Sequence, residues 1–163
     1  MQFKREEPDE AHANRAIDLT VAPRGSVIWL EGREYSEYQA LLPIECKRLP
    51  TPTGNDRDER EYLFSRFSSM GGVDRFKQGY HGAHHPRAAM IGYVQDRDIP
   101  HWHSQVARWI GELVAGGIKG WSSDDELSLV LHDALSRSAH LHSLHPRNAN
   151  LDAISIDHLW IEL

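Results

Sequence analysis

Glu45 and Lys47 stand two residues apart in the segment LLPIECKRL (41–49), which begins apolar and then carries charge. Successive side chains of a β-strand point to opposite faces, so residues i and i+2 share a face. If this segment is a strand, the acid and the base point the same way, whereas Ile44 and Cys46 point the other way, into a core. The pattern therefore predicts one packed face and one face that is free to do chemistry.

Asp18 is the second unusual acid, because it lies inside AIDLTVA (16–22), where apolar and polar residues alternate as in a strand. A carboxylate in mid-strand is unfavourable unless it has a partner or a metal. If the two strands are neighbours, Asp18 and Glu45 converge and form a hard oxygen site that suits Mg²⁺ or Mn²⁺, with the backbone carbonyl of Cys46 as a further ligand. Lys47 beside such a metal would orient the water that attacks a phosphodiester.

The same residues also have a simpler interpretation. Glu-x-Lys is a common tripeptide, and most such pairs are surface ion pairs that contribute less than about 1 kcal/mol. The spacing alone leaves both interpretations open, and the apolar approach to Glu45 together with the mid-strand Asp18 favours the catalytic one.

The rest of the chain predicts a mixed α/β domain over residues 1–163. Two-residue periodicity and β-branched runs predict strands over residues 3–8, 16–22, 26–30, 41–49, 88–95, 138–145 and 153–163. Spacings of three and four residues, with a Ser cap in the last case, predict helices over 62–80, 100–117 and 122–136. The stripe that contains Trp102 and Trp109 is expected to be core, or a dimer face if it is exposed.

Composition excludes several classes of protein. The single cysteine excludes an internal disulfide and a cysteine-based zinc site, and no run is long enough for a membrane span. The start of the chain has no apolar signal region, which indicates a cytoplasmic protein. A net charge of −6 argues against a general polyanion binder, yet residues 47–87 hold 8 Lys and Arg against 5 Asp and Glu. Such a local basic region can guide contact with phosphates.

The two segments RAIDLTV and LLPIECKRL resemble the PD-(D/E)XK nuclease superfamily, which has the restriction-endonuclease-like fold. The resemblance places Asp18 as the first acid, Glu45 as the second acid and Lys47 as the lysine of the motif. It implies an αβββαβ core with a central mixed sheet flanked by helices, although the chain has no room for the N-terminal helix before residue 2. It also implies a Mg²⁺-dependent nuclease, acting on DNA rather than RNA, in a bacterial defence or mobile-element setting.

The resemblance suggests further site residues. It puts Arg75 and Lys77 close to the path of the phosphates, with Arg48 and His81 as other candidate substrate contacts. Glu7 and Glu10 are candidates for the additional acid that the missing helix often supplies. Glu31 competes with Asp18 for the place of the first acid.

Two other functions remain open. The chain has eleven histidines, and His140 and His142 share a face of a predicted strand, so a His-ligated zinc hydrolase is the competing enzyme. A nuclease-like domain that binds or scaffolds without cleaving is the non-enzymatic alternative. The acidic net charge also leaves room for a homodimer or for a partner subunit that supplies affinity for DNA.

Overall fold

The computed structural model describes residues 1–9, 12–30, 32–67, 71–147 and 151–163. These residues form strands and helices in the following order: β1 (Gln2–Asp9), β2 (His12–Ala22), β3 (Ile28–Leu30), β4 (Arg33–Tyr35), β5 (Leu42–Leu49), α1 (Gly72–Lys77), β6 (Arg87–Val94), α2 (Ile99–Ala115), a 3₁₀ turn (Ser123–Asp125), β7 (Ser128–Asp133), β8 (Ser138–His145) and β9 (Ile154–Glu162).

Seven of the strands form one mixed sheet in the order β1-β2-β5-β6-β9-β8-β7. The central strands β5, β6 and β9 are parallel, and antiparallel strands extend the sheet on both sides. The remaining strands, β3 and β4, pair with each other as a separate hairpin. The α/β class and the mixed sheet that the sequence predicts are therefore confirmed.

The hydrophobic core covers one face of this sheet. Alternate residues of β6, β8 and β9 point into it, and the buried residues of α1 and α2 join the same cluster. The cluster includes Met90, Val106, Trp109, Leu141 and Trp160. At the alternate positions on the opposite face, Leu144 and Leu159 are about half exposed, 54% and 44%.

Helix α2 follows its sequence signals closely. Asp98 caps the N-terminus by accepting a 2.9 Å hydrogen bond from the backbone N–H of His101, and Pro100 occupies the first turn. Its apolar stripe packs into the core, where the rings of Trp102 and Trp109 lie 5.9 Å apart. The two tryptophans are thus core residues, as predicted.

Two of the predicted helices are wrong in extent or type. Within the described part of the segment 62–80, Gly72–Lys77 is the helical stretch, and residues 58–66 are held by Asp58, whose carboxylate accepts backbone N–H groups of Arg60 and Arg66. In the segment 122–136 the Ser cap is real, but the helix it starts is a single 3₁₀ turn. The chain then enters β7, where the ladder to β8 outweighs the helical spacing.

The predicted connection at 31–39 contains strand β4, which pairs with β3. The predicted strand at 26–30 is therefore one arm of a hairpin outside the main sheet, with Trp29 69% exposed. Across the described residues, no helix is both long and apolar enough to span a membrane.

Candidate active site

Strands β2 and β5 separate at Asp18. The antiparallel ladder ends where Leu19 lies opposite Ile44, and no further pair follows among the described residues of the two strands. Instead, the side-chain Oδ2 of Asp18 accepts a 2.8 Å hydrogen bond from the backbone N–H of Cys46. The Asp18 carboxylate therefore takes the place of a backbone acceptor and is held at the gap between the strands.

Glu45 and Lys47 lie on the core side of β5. Glu45 stands beside Met90 of β6 and Lys47 beside Gly92, and alternation then places Cys46 on the opposite face. Glu45 is fully buried, whereas Cys46 is only half-buried. The prediction that Cys46 faces the core while Glu45 and Lys47 face away is therefore wrong, because the register with β6 turns the charged pair inward.

Basic side chains surround the Glu45 carboxylate. On Oε2, Arg75 Nη1 lies at 3.1 Å and Lys47 Nζ at 3.6 Å, and His81 Nδ1 lies 2.7 Å from Oε1. Burial by itself would raise the pKa of Glu45, but the contacts with His81, Lys47 and Arg75 outweigh it and hold that pKa below its usual value. Glu45 is thus an ionised carboxylate inside the protein.

Two of the basic residues around Glu45 come from α1 and the turn that follows it, namely Arg75 and His81. A glycine lets α1 approach the sheet closely, because a Cβ at Gly72 would lie 2.5 Å from Met90 Cε and 3.3 Å from Lys47 Cγ. The helix then carries Arg75 to Glu45, and the turn after it brings His81 to the other oxygen.

The surroundings of Asp18 differ from those of Glu45. The Asp18 side chain is exposed, and partial desolvation and the charge of Glu45 raise its pKa against the opposing effects of the Cys46 N–H, Lys47 and Arg75. Two nearby carboxylates whose repulsion is not fully compensated form an arrangement that a cation would stabilise.

The donor set fits a hard divalent cation. The N–H and C=O of a strand residue point to the same side, so the Cys46 carbonyl faces the gap beside Asp18. In the part of the chain that the structure describes, no group of three or more His, Cys, Asp or Glu side chains is arranged to hold a metal. Two carboxylates and a backbone carbonyl, completed by water and substrate oxygens, nevertheless match what Mg²⁺ accepts.

The other predicted site residues lie in different places. Arg48 is exposed on the face opposite to Glu45, and Glu7 lies on β1, opposite Ile17 and separated from β5 by β2. Lys77 is not on a phosphate path, because it is buried and paired with Asp125. Its helical position, two residues from Arg75, turns it to another side of α1. Glu10 and Glu31 lie outside the described residues.

The two histidines of the zinc alternative share the more open face of the sheet, as predicted, but contact other partners. His140 Nε2 lies 2.9 Å from Asp157 Oδ1, and His142 Nε2 lies 2.9 Å from Ser155 Oγ. Asp157 also accepts a hydrogen bond from Arg87, so its carboxylate is shared between two basic groups.

A chain of buried polar side chains, which the sequence analysis did not anticipate, crosses the core. Its contacts run in the order Lys77, Asp125, His145, Ser143, His158, Tyr62 and Trp160, and each of the seven residues is at most 2% exposed. We call this set the buried polar chain. The two-residue alternation of SAHLHSLH could have indicated it, since His145 shares a face with Ala139 and Leu141 rather than with His140 and His142.

Part of this chain has the connectivity of a Ser-His-Asp triad. His145 Nδ1 lies 2.6 Å from Asp125 Oδ1, and Ser143 Oγ lies 2.7 Å from His145 Nε2. Ser143 also contacts His158, and all these groups are closed off from solvent. A substrate has no access to the Ser143 hydroxyl in this conformation, so the triad geometry is structural here.

No family model, curated protein or solved structure matches the chain.

Proposed function

We propose that the protein is a metal-dependent nuclease of the PD-(D/E)XK type, with a restriction-endonuclease-like core. The observation that carries the proposal is the hydrogen bond from the Cys46 N–H to Asp18, which places the first acid next to the Glu45-Cys46-Lys47 segment at the point where β2 and β5 part. This contact between residues far apart in the sequence supports the proposal, because the motif needs an acid next to the Glu-x-Lys segment.

The order of the elements around the site supports this proposal. Strands β1, β2 and β5 are consecutive antiparallel neighbours, α1 follows, and β6 then returns parallel to β5. Apart from the β3–β4 hairpin inserted between β2 and β5, this order is similar to the βββαβ part that the resemblance implies. The proposal therefore rests on both the local contact and the topology around it.

Each residue has a separate role in this proposal. Asp18, Glu45 and the Cys46 carbonyl would hold Mg²⁺ or Mn²⁺, which when bound would lower the pKa of a water and neutralise charge on the scissile phosphate. Lys47 orients the attacking water and stabilises charge at phosphorus. Arg75 and His81 keep Glu45 in position, and Arg75, whose side chain is 19% exposed, is a second basic group beside Lys47 that a phosphate could reach.

The proposed substrate is DNA. The basic excess of residues 47–87 falls on the segment that supplies Lys47 and Arg75, while the rest of the chain is acidic. Contacts with the phosphate backbone, rather than with bases, are what such a site provides, so cleavage without strong sequence preference is expected.

The test is a cleavage assay on plasmid and linear DNA with Mg²⁺, Mn²⁺ or EDTA. Wild type is compared with Glu45→Ala and Lys47→Ala, and Arg108→Ala is the control because it removes a positive charge from the exposed side of α2. We expect cleavage that EDTA abolishes and that falls by about 10²–10⁴-fold in Lys47→Ala. Arg108→Ala should cleave like wild type.

Two outcomes would contradict the proposal. Cleavage that persists in both site variants would assign it to another site or to a contaminant. DNA binding without cleavage under either metal would instead favour the binding or scaffold alternative.

A further inference from the structure

The donor and acceptor atoms of the buried polar chain can be assigned by starting from Asp125. Asp125 has a pKa held below its usual value, with burial opposing and the contacts with His145 and Lys77 prevailing, so its carboxylate is ionised and only accepts. Lys77 and the backbone N–H of Ser122 donate to it. His145 must therefore donate from Nδ1, at a separation of 2.6 Å.

At the opposite end of the buried polar chain, Trp160 also determines which atom donates and which accepts. The indole N–H of Trp160 can only donate, so the Tyr62 oxygen accepts at 2.7 Å. The Tyr62 hydroxyl is then free to donate to His158 Nδ1, also at 2.7 Å. His158 therefore accepts at Nδ1 and keeps its single hydrogen on Nε2 if it is neutral.

The two halves meet at Ser143 without a conflict. His158 Nε2–H donates to the Ser143 oxygen at 2.8 Å, and the Ser143 hydroxyl donates to His145 Nε2 at 2.7 Å. Every step from Trp160 to Asp125 then has one donor and one acceptor. This assignment requires both histidines to be neutral and to carry their hydrogens on different nitrogens.

We propose that the buried polar chain is an acid-sensitive clamp, which holds α1 and the 3₁₀ turn to β8 and β9 at neutral pH and releases them when His145 or His158 takes up a proton. Lys77 ties α1 to the chain and Asp125 ties the 3₁₀ turn, while the two histidines belong to β8 and β9. When His145 is protonated, its Nε2–H faces the Ser143 hydroxyl, which is also a donor. When His158 is protonated, its Nδ1–H faces the Tyr62 hydroxyl in the same way.

The charged groups around the two histidines act in both directions, because Lys77 and the neighbouring histidines lower the pKa values whereas Asp125 and Asp157 raise them. Around His145 they are Lys77 from α1, Asp125 from the 3₁₀ turn and His142 from β8. Around His158 they are His145, His142 and His140 from β8 and Asp157 from its own strand. Burial lowers the pKa of both histidines, Lys77 lowers that of His145 further, and the favourable effect of Asp125 does not reverse the shift.

The lowered pKa values of His145 and His158 determine how the stability of the protein changes with pH. Because both folded-state pKa values lie below the unfolded value of 6.5, the clamp contributes its full stability above about pH 6.5 and loses it as the pH falls. At a pH between the folded-state and unfolded-state pKa values, the unfolded chain binds one more proton at each of these histidines than the folded chain does. The equilibrium constant for unfolding should therefore rise by up to about tenfold per pH unit for each histidine.

The direct test uses the wild-type protein and long-range ¹H–¹⁵N NMR of the imidazole rings. Between pH 7 and 6 we expect neutral His145 with its hydrogen on Nδ1 and neutral His158 with its hydrogen on Nε2. A charged ring for either residue, or the opposite tautomer, would overturn the proposal.

The release itself is tested by hydrogen exchange at pH 7 and pH 5, corrected for intrinsic rates. Residues 72–77 and 123–125 should lose protection at pH 5, and β5 should keep it. The slope of unfolding against pH should drop by about one proton in His145→Gln, and His132→Gln, an exposed histidine of β7, serves as the matched control. Equal slopes in wild type and His145→Gln, or unchanged protection of α1 at pH 5, would contradict the clamp.

Discussion

The carboxylate of Asp18 accepts a 2.8 Å hydrogen bond from the backbone N–H of Cys46, the residue between Glu45 and Lys47. This single contact ends the β2–β5 ladder and defines the proposed active site. Two properties of Asp18 can be tested separately, because the hydrogen bond to Cys46 needs only an oxygen acceptor whereas metal binding needs the negative charge.

Asp18→Asn should therefore lose function without losing stability. The amide oxygen can still accept from Cys46, and because the surroundings raise the pKa of Asp18, removing its charge leaves the folded state equally or more stable at pH 7. We expect cleavage at the level of the EDTA control, and no stabilisation by Mg²⁺ in thermal unfolding, whereas Mg²⁺ should stabilise wild type. Asp18→Ala, which also removes the acceptor, should be less stable than Asp18→Asn, and equal Mg²⁺ stabilisation of wild type and Asp18→Asn would argue against a metal at this residue.

Glu45→Gln should destabilise the protein at neutral pH but not in acid. The substitution removes the negative charge that faces Arg75, Lys47 and His81, and leaving such donors without their acceptor costs about 1–3 kcal/mol. Because the folded-state pKa of Glu45 lies below 4.5, its contribution is present above about pH 4.5 and is lost as the pH falls through the folded value. Urea unfolding of both proteins at pH 7 and pH 3 measures this, and a difference that is as large at pH 3 would contradict the ionic origin.

The two ion pairs on opposite sides of the sheet should differ in strength. Asp125→Ala removes the partner of buried Lys77 and should lower the free energy of unfolding by about 3–5 kcal/mol. Asp157→Ala removes the partner of Arg87, which is 61% exposed, and should cost at most about 1 kcal/mol. Urea unfolding at pH 7 compares them, and similar losses would mean that the buried polar chain contributes little.

Two glycine substitutions should have opposite signs. A Cβ at Gly92 would lie 2.6 Å from Trp160 Cδ1, so Gly92→Ala should destabilise by about 1–3 kcal/mol. Gly111 of α2 has open space around its Cβ position, so Gly111→Ala should stabilise by up to about 1 kcal/mol. Thermal unfolding shows the direction of both, and a neutral Gly92→Ala would mean that β6 and β9 can shift apart at little cost.

Sequence periodicity predicted the elements whose local signals agree with their packing. Helix α2 has its Asp98 cap, its proline and its apolar stripe in agreement, and β6, β8 and β9 alternate as their sheet requires. The helix predicted over 122–136 is wrong because the cap at Ser122 says where a helix begins and not how far it continues. Pairing with β8, which is a tertiary interaction, decides the structure after Asp125.

The residue types of the proposed site could be predicted from the sequence, but the environment of each side chain could not. The spacing of Glu45 and Lys47 indicated that they share a face, and the mid-strand position of Asp18 indicated that it has a partner, which is the Cys46 N–H. The burial of Glu45 depends on the register of β5 against β6, which no local pattern contains. Lys77 was misplaced for a similar reason, since a lysine in a helix is normally solvated and only the partner Asp125, 48 residues away, explains its burial.

The long sequence separations of these contacts have a consequence for how the protein folds. Cys46 reaches back 28 residues to Asp18, Arg75 reaches back 30 to Glu45, and Tyr62 meets His158 across 96 residues. Closing such loops costs chain entropy before any contact repays it, so hairpins such as β1–β2 can form early while the central parallel strands assemble late. The proposed active site should therefore appear only in the last cooperative step of folding, together with the docking of β9.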